Sequence, residues 1–269
     1  MRIIVTLIFA AAVAAAGFQP NSSDKPVTKL TIDKLLILSS TLPDQDRLSL
    51  QQSFKQKSFN LNLDELQQRI TQTARDLGYF HVEVSKPELS SRNRTNYDVT
   101  VRIAEGSRYH LGPIHFKNVT AFSEAQIESI FAIHTGDLVC PTKIGNGLEA
   151  LREVYGTKGY IDFVAVPVVM FDESAHTIGI TLDVNEGSVF QLGNLFLEGY
   201  EVHAGAAKAL QESWAPLRGE RYDTRVLDRW LQANQKNCLG CIRTRNMSLQ
   251  PPNLSLKTVD VLLSLQQPN

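Results

Sequence analysis

Apolar and polar positions along this chain follow two rhythms. Val99, Val101 and Ile103, then Ile178, Ile180, Leu182 and Val184 against Thr181 and Asp183, then Val259, Val261, Leu263 and Leu265 alternate with a period of two, which predicts half-buried strands. Leu63, Leu66, Ile70, Ala74 and Leu77 repeat at helical spacing, as do Ile144, Leu148, Leu151 and Tyr155, and again Val226, Leu227, Trp230 and Leu231. Asn62 with Glu65 and Ser123 with Gln126 form capping-box patterns that open helices, and Pro141 suits a first helical position. Gly78, Gly136 and Gly159 fall where helices stop. The expected order is an opening strand over 34–38, a helix over 44–56, a helix ending at Gly78, and strands over 80–85 and 97–103. The next stretch gives a strand around Ile114 and Phe116, helices from Ser123 and Pro141, and strands over 160–170 and 177–185. Last come a strand over 191–197, a helix over 204–214, the Trp230 helix and the 259–265 strand.

This order repeats with a period of 81 residues. Adding 81 carries Gly78-Tyr79 onto Gly159-Tyr160, Glu105-Gly106 onto Glu186-Gly187, and Leu111-Gly112 onto Leu192-Gly193. A third, weaker copy has Gly240 at the glycine position, with Cys241 where the tyrosine would stand and Gln266-Gln267 near where Glu-Gly would fall. Three tandem units of strand, helix, helix, strand, strand follow, each large enough for one core and too small for a deep enzyme pocket.

Ahead of the array, Arg2, the apolar run from Ile3 to Phe9 and the small residues Ala14-Ala15-Ala16 read as a cleaved export signal over 1–16. An uncleaved anchor is the competing reading. It needs about 20 apolar residues, and Thr6 and the alanines weaken this run. A polar linker over 17–28 follows, and past residue 27 no long apolar stretch or membrane barrel is expected. Charge excludes another class: 27 Lys and Arg balance 28 acids, for a net charge of −1, and are scattered; the best local candidate, Arg243 with Arg245, reads as a solvated face. A nucleic-acid binder would show a basic stripe. Asn93-Arg94-Thr95 and Asn118-Val119-Thr120 are glycosylation sequons that matter only in a host that uses them.

The stretch from Leu138 to Gly187, with GTKGYIDFVAVPVVMFDE followed by TIGITLDVNEG, resembles the POTRA (polypeptide-transport-associated) domains that precede the outer-membrane barrels of the Omp85 family. DLGYFHVEV and YDVTVRIAEG carry the likeness into the first unit, and with the third it extends over about 240 of the 269 residues. The resemblance implies an α+β fold of three β-α-α-β-β units, 29–106, 107–187 and a divergent 188–269, each a three-stranded mixed sheet with two helices on one face. It further implies a periplasmic, non-enzymatic binder of outer-membrane protein clients or barrel-assembly components, working by strand addition at a sheet edge. The residues so implicated are Phe80, His81, Val82, Glu83 and Val84 in the first unit, and Ile161, Asp162, Phe163, Val164 and Ala165 in the second. Pro167 suits an edge.

Structural roles are expected for the repeated marks. Gly78, Gly159 and Gly240 meet backbone requirements, Tyr79 and Tyr160 pack over the helices with hydroxyls at the rim, and Glu105-Gly106 and Glu186-Gly187 take part in the turn into the next unit. No catalytic residue and no cofactor is expected. Histidines 81, 110, 115, 134, 176 and 203 lack the spacing of a zinc site. Cys238 and Cys241 form a C-x-x-C, read as a structural disulfide ahead of free thiols. A redox role is disfavoured because the pair follows a helix, where the dipole opposes a thiolate. Cys140 is expected near the N-cap of the second unit's helix unless it pairs with a third-unit cysteine. Two alternatives from other classes are an anchored division or secretion scaffold and an exported thiol-redox protein.

Overall fold

The computed structural model describes residues 30–55, 58–59, 63–91, 96–199, 204–235 and 247–265. The export signal, the polar linker, Asn62, Asn93-Arg94-Thr95, His203, Cys238, Gly240, Cys241, Arg243, Arg245 and Gln266-Gln267 lie outside the described residues.

In the first repeat the elements are β1 (Leu30–Leu38), α1 (Asp44–Phe54), β2 (Ser58–Phe59), α2 (Leu63–Asp76), β3 (Glu83–Val84), β4 (Glu88–Ser91) and β5 (Asn96–Ala104). The second holds β6 (His110–Lys117), α3 (Glu124–Glu128), α4 (Pro141–Gly156), β7 (Val164–Asp172) and β8 (Thr177–Asn185). The third holds β9 (Gln191–Glu198), α5 (Ala204–Trp214), α6 (Thr224–Asn234), β10 (Met247–Leu249) and β11 (Thr258–Ser264).

Each repeat builds one sheet with its last strand inside. The orders are β2-β1-β5-β3 with β4 also on β5, then β6-β8-β7, then β10-β11-β9. The inner strand has the strictest alternation, and its apolar residues Val99, Val101, Ile180, Leu182, Val259 and Val261 are all buried. β1 runs parallel to β5 (Leu35 opposite Val99) and β9 parallel to β11 (Leu195 opposite Val261). Parallel neighbours need a long crossover, and that crossover carries the helices of the repeat. β4 and β10 are antiparallel to their inner strands, and β7 and β8, joined by residues 173–176, can only be antiparallel. In the first repeat the edge beside β5 is split into two short pieces, and β2 adds two residues beyond β1.

The described chain forms two compact bodies. One holds the first repeat to His115 with Phe131–Asn146 and Pro167–Leu182; the other holds Phe116–Ile130, Gly147–Val166 and the chain from Asp183. In the first, Leu50 and Phe54 of α1 and Leu66, Ile70 and Ala74 of α2 share a core with β1 and β5. In the second, Leu210 and Trp214 of α5 and Leu227, Trp230 and Leu231 of α6 cover β9 and β11. The two indoles meet edge to face at 5.0 Å. Each finds an acceptor, Gly193 O and Ser213 Oγ, both at 3.0 Å, as buried indoles require.

The helix ends follow the sequence. Gly78 (φ +93°) and Gly159 (φ +86°) are left-handed, and in each case the following tyrosine N–H reaches five residues back: Tyr79 N to Ala74 O, 3.4 Å, and Tyr160 N to Tyr155 O, 3.2 Å. These are Schellman caps, which glycine adopts without a Cβ penalty. Ser123 and Gln126 form the expected capping box, although α3 is only one turn long.

One expectation is corrected here. Phe80, His81, Ile161 and Asp162 lie in turns, and Val82 and Phe163 precede strands; β3 starts at Glu83 and β7 at Val164. The cause is local. After each left-handed glycine the chain doubles back, with Val82 N bonded to Tyr79 O at 3.2 Å and Ile161 N to Gly159 O at 3.2 Å, which takes those residues away from the sheet.

Candidate functional site

The repeated marks are structural clasps. Glu186, at the end of β8, points its carboxylate back to the loop after β6. It accepts from Thr120 N (2.8 Å), Ala121 N (2.9 Å), the Thr120 hydroxyl and Tyr155 Oη (2.8 Å). Burial pushes this carboxyl up, but those hydrogen bonds outweigh it and hold its pKa at about 2. Glu105 does the same in the first repeat, accepting from Ser39 Oγ at 2.8 Å. Burial opposes its ionisation too, and the hydroxyls of Thr41 and Ser39 prevail, leaving its pKa lowered. Ser39 plus 81 is Thr120, so this clasp was present in the repeat and was missed. Gly106 (φ +69°) and Gly187 (φ +72°), which follow the two glutamates, are left-handed.

Tyr79 is buried and donates to Asp46 Oδ2 of α1 at 2.7 Å. Burial first, then Asp46, raises its hydroxyl to about 12. Arg108 also bonds Asp46, with its guanidinium 4.9 Å from the Tyr79 ring, so the segment after β5 is stapled to α1. Tyr160 is half-buried and stands edge-on to Tyr155 at 5.5 Å. Phe163 stacks on Tyr155 at 4.1 Å.

Between repeats the chain uses one device twice. Tyr109 N donates to Gly78 O (3.0 Å) while Tyr109 O accepts from Val139 N (2.9 Å); Phe190 N donates to Gly159 O (2.9 Å) while Phe190 O accepts from Tyr222 N (2.9 Å). Both aromatic residues are buried. A Cβ on Gly159 would sit about 3 Å from Val189 Cγ1, Arg221 Cγ and Phe190 O, so close packing as well as φ demands glycine. The first joint adds side-chain ties. Asp76, at the end of α2, accepts from Thr142 N (3.0 Å) and Thr142 Oγ1 (2.7 Å) and so caps α4 of the next repeat. Glu173 accepts from the Tyr109 hydroxyl and lies 3.6 Å from His81 Nε2. In the second joint α6 is capped by its own Asp223, through Arg225 N at 2.8 Å. There Asp162 accepts from Ser188 N at 3.2 Å, filling the space a side chain on Gly187 would need. Asp46, Asp76 and Arg108 carry no signal in the 81-residue pattern, whereas Tyr109 and Phe190, 81 apart, do.

The sheet edges differ in what they leave open. On β1, β2 pairs with Leu30 and Thr31, and Arg47 Nη1 bonds Ile37 O at 3.4 Å. Glu83 and Val84 form the whole of β3, and β4 follows after Pro87. β7 runs unbroken from Val164 to Asp172, with Val164, Val166 and Met170 each 45 to 51% exposed on one face and Phe163, Val169 and Phe171 buried on the other. Ala165 is half-buried, and Pro167 is buried within the strand. Of the expected strand-addition residues, Val164 and Ala165 lie on this edge, Glu83 and Val84 on the short β3.

Among the described residues no group of three His, Cys, Asp or Glu side chains is arranged to hold a metal ion. Cys140 is a free thiol at the N-cap of α4, its Sγ 3.5 Å from Asp76 Oδ1. Burial first, and the Asp76 carboxylate as well, push its pKa up, so the reactive thiolate is disfavoured. No helix among the described residues is long and apolar enough to cross a membrane.

Comparison with known proteins agrees with this geometry. Residues 109–187 match the family model POTRA, described as a surface antigen variable number repeat. Over 197 residues, 66% of this chain, the sequence is 27% identical to the outer membrane protein assembly factor BamA of Buchnera aphidicola, of which it spans 31%. Among solved structures, POTRA domains 3–5 of Haemophilus influenzae BamA superpose with a TM-score of 0.65 at 19% identity, covering 90% of this chain and 99% of that one. Residues 109–187 are therefore a POTRA domain, and the chain as described has the fold of a POTRA array.

Proposed function

We propose that this chain is a periplasmic protein-binding array in outer-membrane protein assembly, that its units span 29–106, 107–187 and 188–269, and that it takes extended segments of other chains by strand addition to β7. The observation that carries the reading is the β7 edge, a nine-residue strand with exposed valines and no further strand beside it among the described residues. A paired segment gains backbone hydrogen bonds whatever its sequence, and the alternate apolar positions supply a loose preference. That suits a handler of many unfolded clients. Similarity to BamA supports the assembly context.

Photo-crosslinking residues at Val164 and Val166, with Leu36 on β1 as the comparison site, test it in intact cells. Adducts with outer-membrane barrel proteins or barrel-assembly components from β7 and not from β1 are the expected result. Adducts only with soluble or inner-membrane envelope proteins would remove the assembly reading.

A further inference from the structure

We infer that the turn between β10 and β11 contacts a lipid bilayer, with Leu254 and Leu256 inserting among anionic headgroups. These are the most exposed large apolar side chains described, at 71% and 70%. They are held on a rigid scaffold. Asn253 Oδ1 accepts from Ser255 N (3.1 Å) and Leu256 N (3.0 Å), Asn253 and Thr258 exchange backbone hydrogen bonds at 2.8 and 3.2 Å, and Lys257 is left-handed at φ +52°.

The turn itself has no need of leucine. Its counterpart between β7 and β8 has the same geometry: Asp172 Oδ1 accepts from Ser174 N (3.1 Å) and Ala175 N (3.0 Å), and His176 is left-handed at φ +48°. Adding 81 places Glu173 on Leu254 and Ala175 on Leu256. Glu173 serves the first joint by accepting from Tyr109. In the third repeat Phe190 stands for Tyr109 and has no hydroxyl to offer, and the tip carries leucines pointing to solvent.

Chemistry favours lipid over a protein pocket. Leucine is under-represented among the anchors of protein interfaces, where Trp, Tyr and Arg dominate, whereas exposed leucine beside lysine is the composition of interfacial membrane contacts. Residues 250–257 hold Lys257 and no acid. At the base of the turn Gln191 N donates to Lys257 O at 2.9 Å, which fixes the lysine backbone against β9. The next acid along, Asp260, is engaged by Asn194 N at 2.5 Å. Anionic headgroups attract Lys257, the one charge in the turn.

The inference is independent of the strand-addition reading. It is tested with the full chain and vesicles of equal parts phosphatidylethanolamine and brominated phosphatidylglycerol, following tryptophan placed by Leu254→Trp or, for comparison, by Phe196→Trp on the open face of β9. Bromine quenching of the tip tryptophan well above that of the β9 one is expected. Leu254→Ser with Leu256→Ser should weaken vesicle partitioning on the order of tenfold per leucine with an unchanged unfolding temperature. Equal quenching at both sites, or none, overturns the inference. So does a photo-crosslinker at Leu254 that yields one protein adduct while vesicles leave the tip unquenched, which would make the tip a protein anchor.

Discussion

The two joints share a backbone design and differ in who supplies the side chains. In both, an aromatic residue spends its N–H on the preceding repeat's capping glycine and its carbonyl on the following repeat. At the first, Asp76 of one repeat caps the helix of the next, and Glu173 reaches back to Tyr109. At the second, α6 carries its own cap, Asp223. Backbone geometry is thus the invariant part of a joint, and side-chain dependence on the neighbour is added separately. The second repeat leans on the first, while the third brings its own helix start.

The largest expected effect tests the shared part. Gly159→Ala forces a left-handed alanine against Val189 and the Phe190 carbonyl, and should cost about 3 kcal/mol by denaturant unfolding. Gly136→Ala, also left-handed but with open space around it, should cost about 1 kcal/mol; equal losses would mean that packing at the joint is unimportant. Next comes the asymmetry. Asp76→Ala should cost about 1 kcal/mol and raise amide exchange at the start of α4 in the second repeat. Asp223→Ala should cost a similar amount and loosen only α6. If Asp76→Ala leaves α4 protected, the second repeat does not depend on the first for its cap.

Smaller effects come from pH. The Glu186 carboxyl, at about 2 in the folded chain against an ordinary 4.5, gives stability that is complete above pH 4.5 and fades as the pH falls toward 2. Glu186→Gln should flatten that acid limb in a pH series of thermal unfolding. At the other end, burial together with Asp46 raises Tyr79 to about 12, and burial together with Glu173 raises Tyr109 to about 12, both from 10.0. Their contribution is complete below pH 10 and fades as the pH rises toward 12. Tyr109→Phe should shrink the alkaline loss at the first joint; at the second, Phe190 cannot ionise, and the alkaline loss there falls to Tyr222, which burial raises to about 12.

Much of the fold was legible because the repeat is written in residues that carry backbone or core roles. The alternation of Ile178 to Val184 placed β8 where it is found, and the Leu148, Leu151 and Tyr155 stripe placed α4. The opening of the edge strands was not legible. Ile161 and Phe163 are β-formers in alternating phase, yet Phe163 serves the Tyr155 stack and Ile161 the turn after a Schellman cap. A pattern cannot separate a strand from a turn that keeps the same inward and outward parity. Asp76 and Arg108 were invisible for another reason: their partners, Thr142 and Asp46, lie about 60 residues away in the chain, and nothing local to either residue marks the pairing. The β7 edge was half visible: the residues alone assigned Val164 and Val166 to one face, and only the family resemblance put their strand at an edge.

The Asp76 cap also has a direction in time. A chain delivered N-terminus first completes α2 before α4 has emerged, so the carboxylate that α4 needs is already fixed in place when Thr142 arrives. The first repeat is then a template for its successor's nucleation, and the order of synthesis matches the order of dependence. Moving the second repeat ahead of the first by circular permutation would reverse that order while keeping every residue, and should slow the folding of the second repeat more than it lowers its final stability.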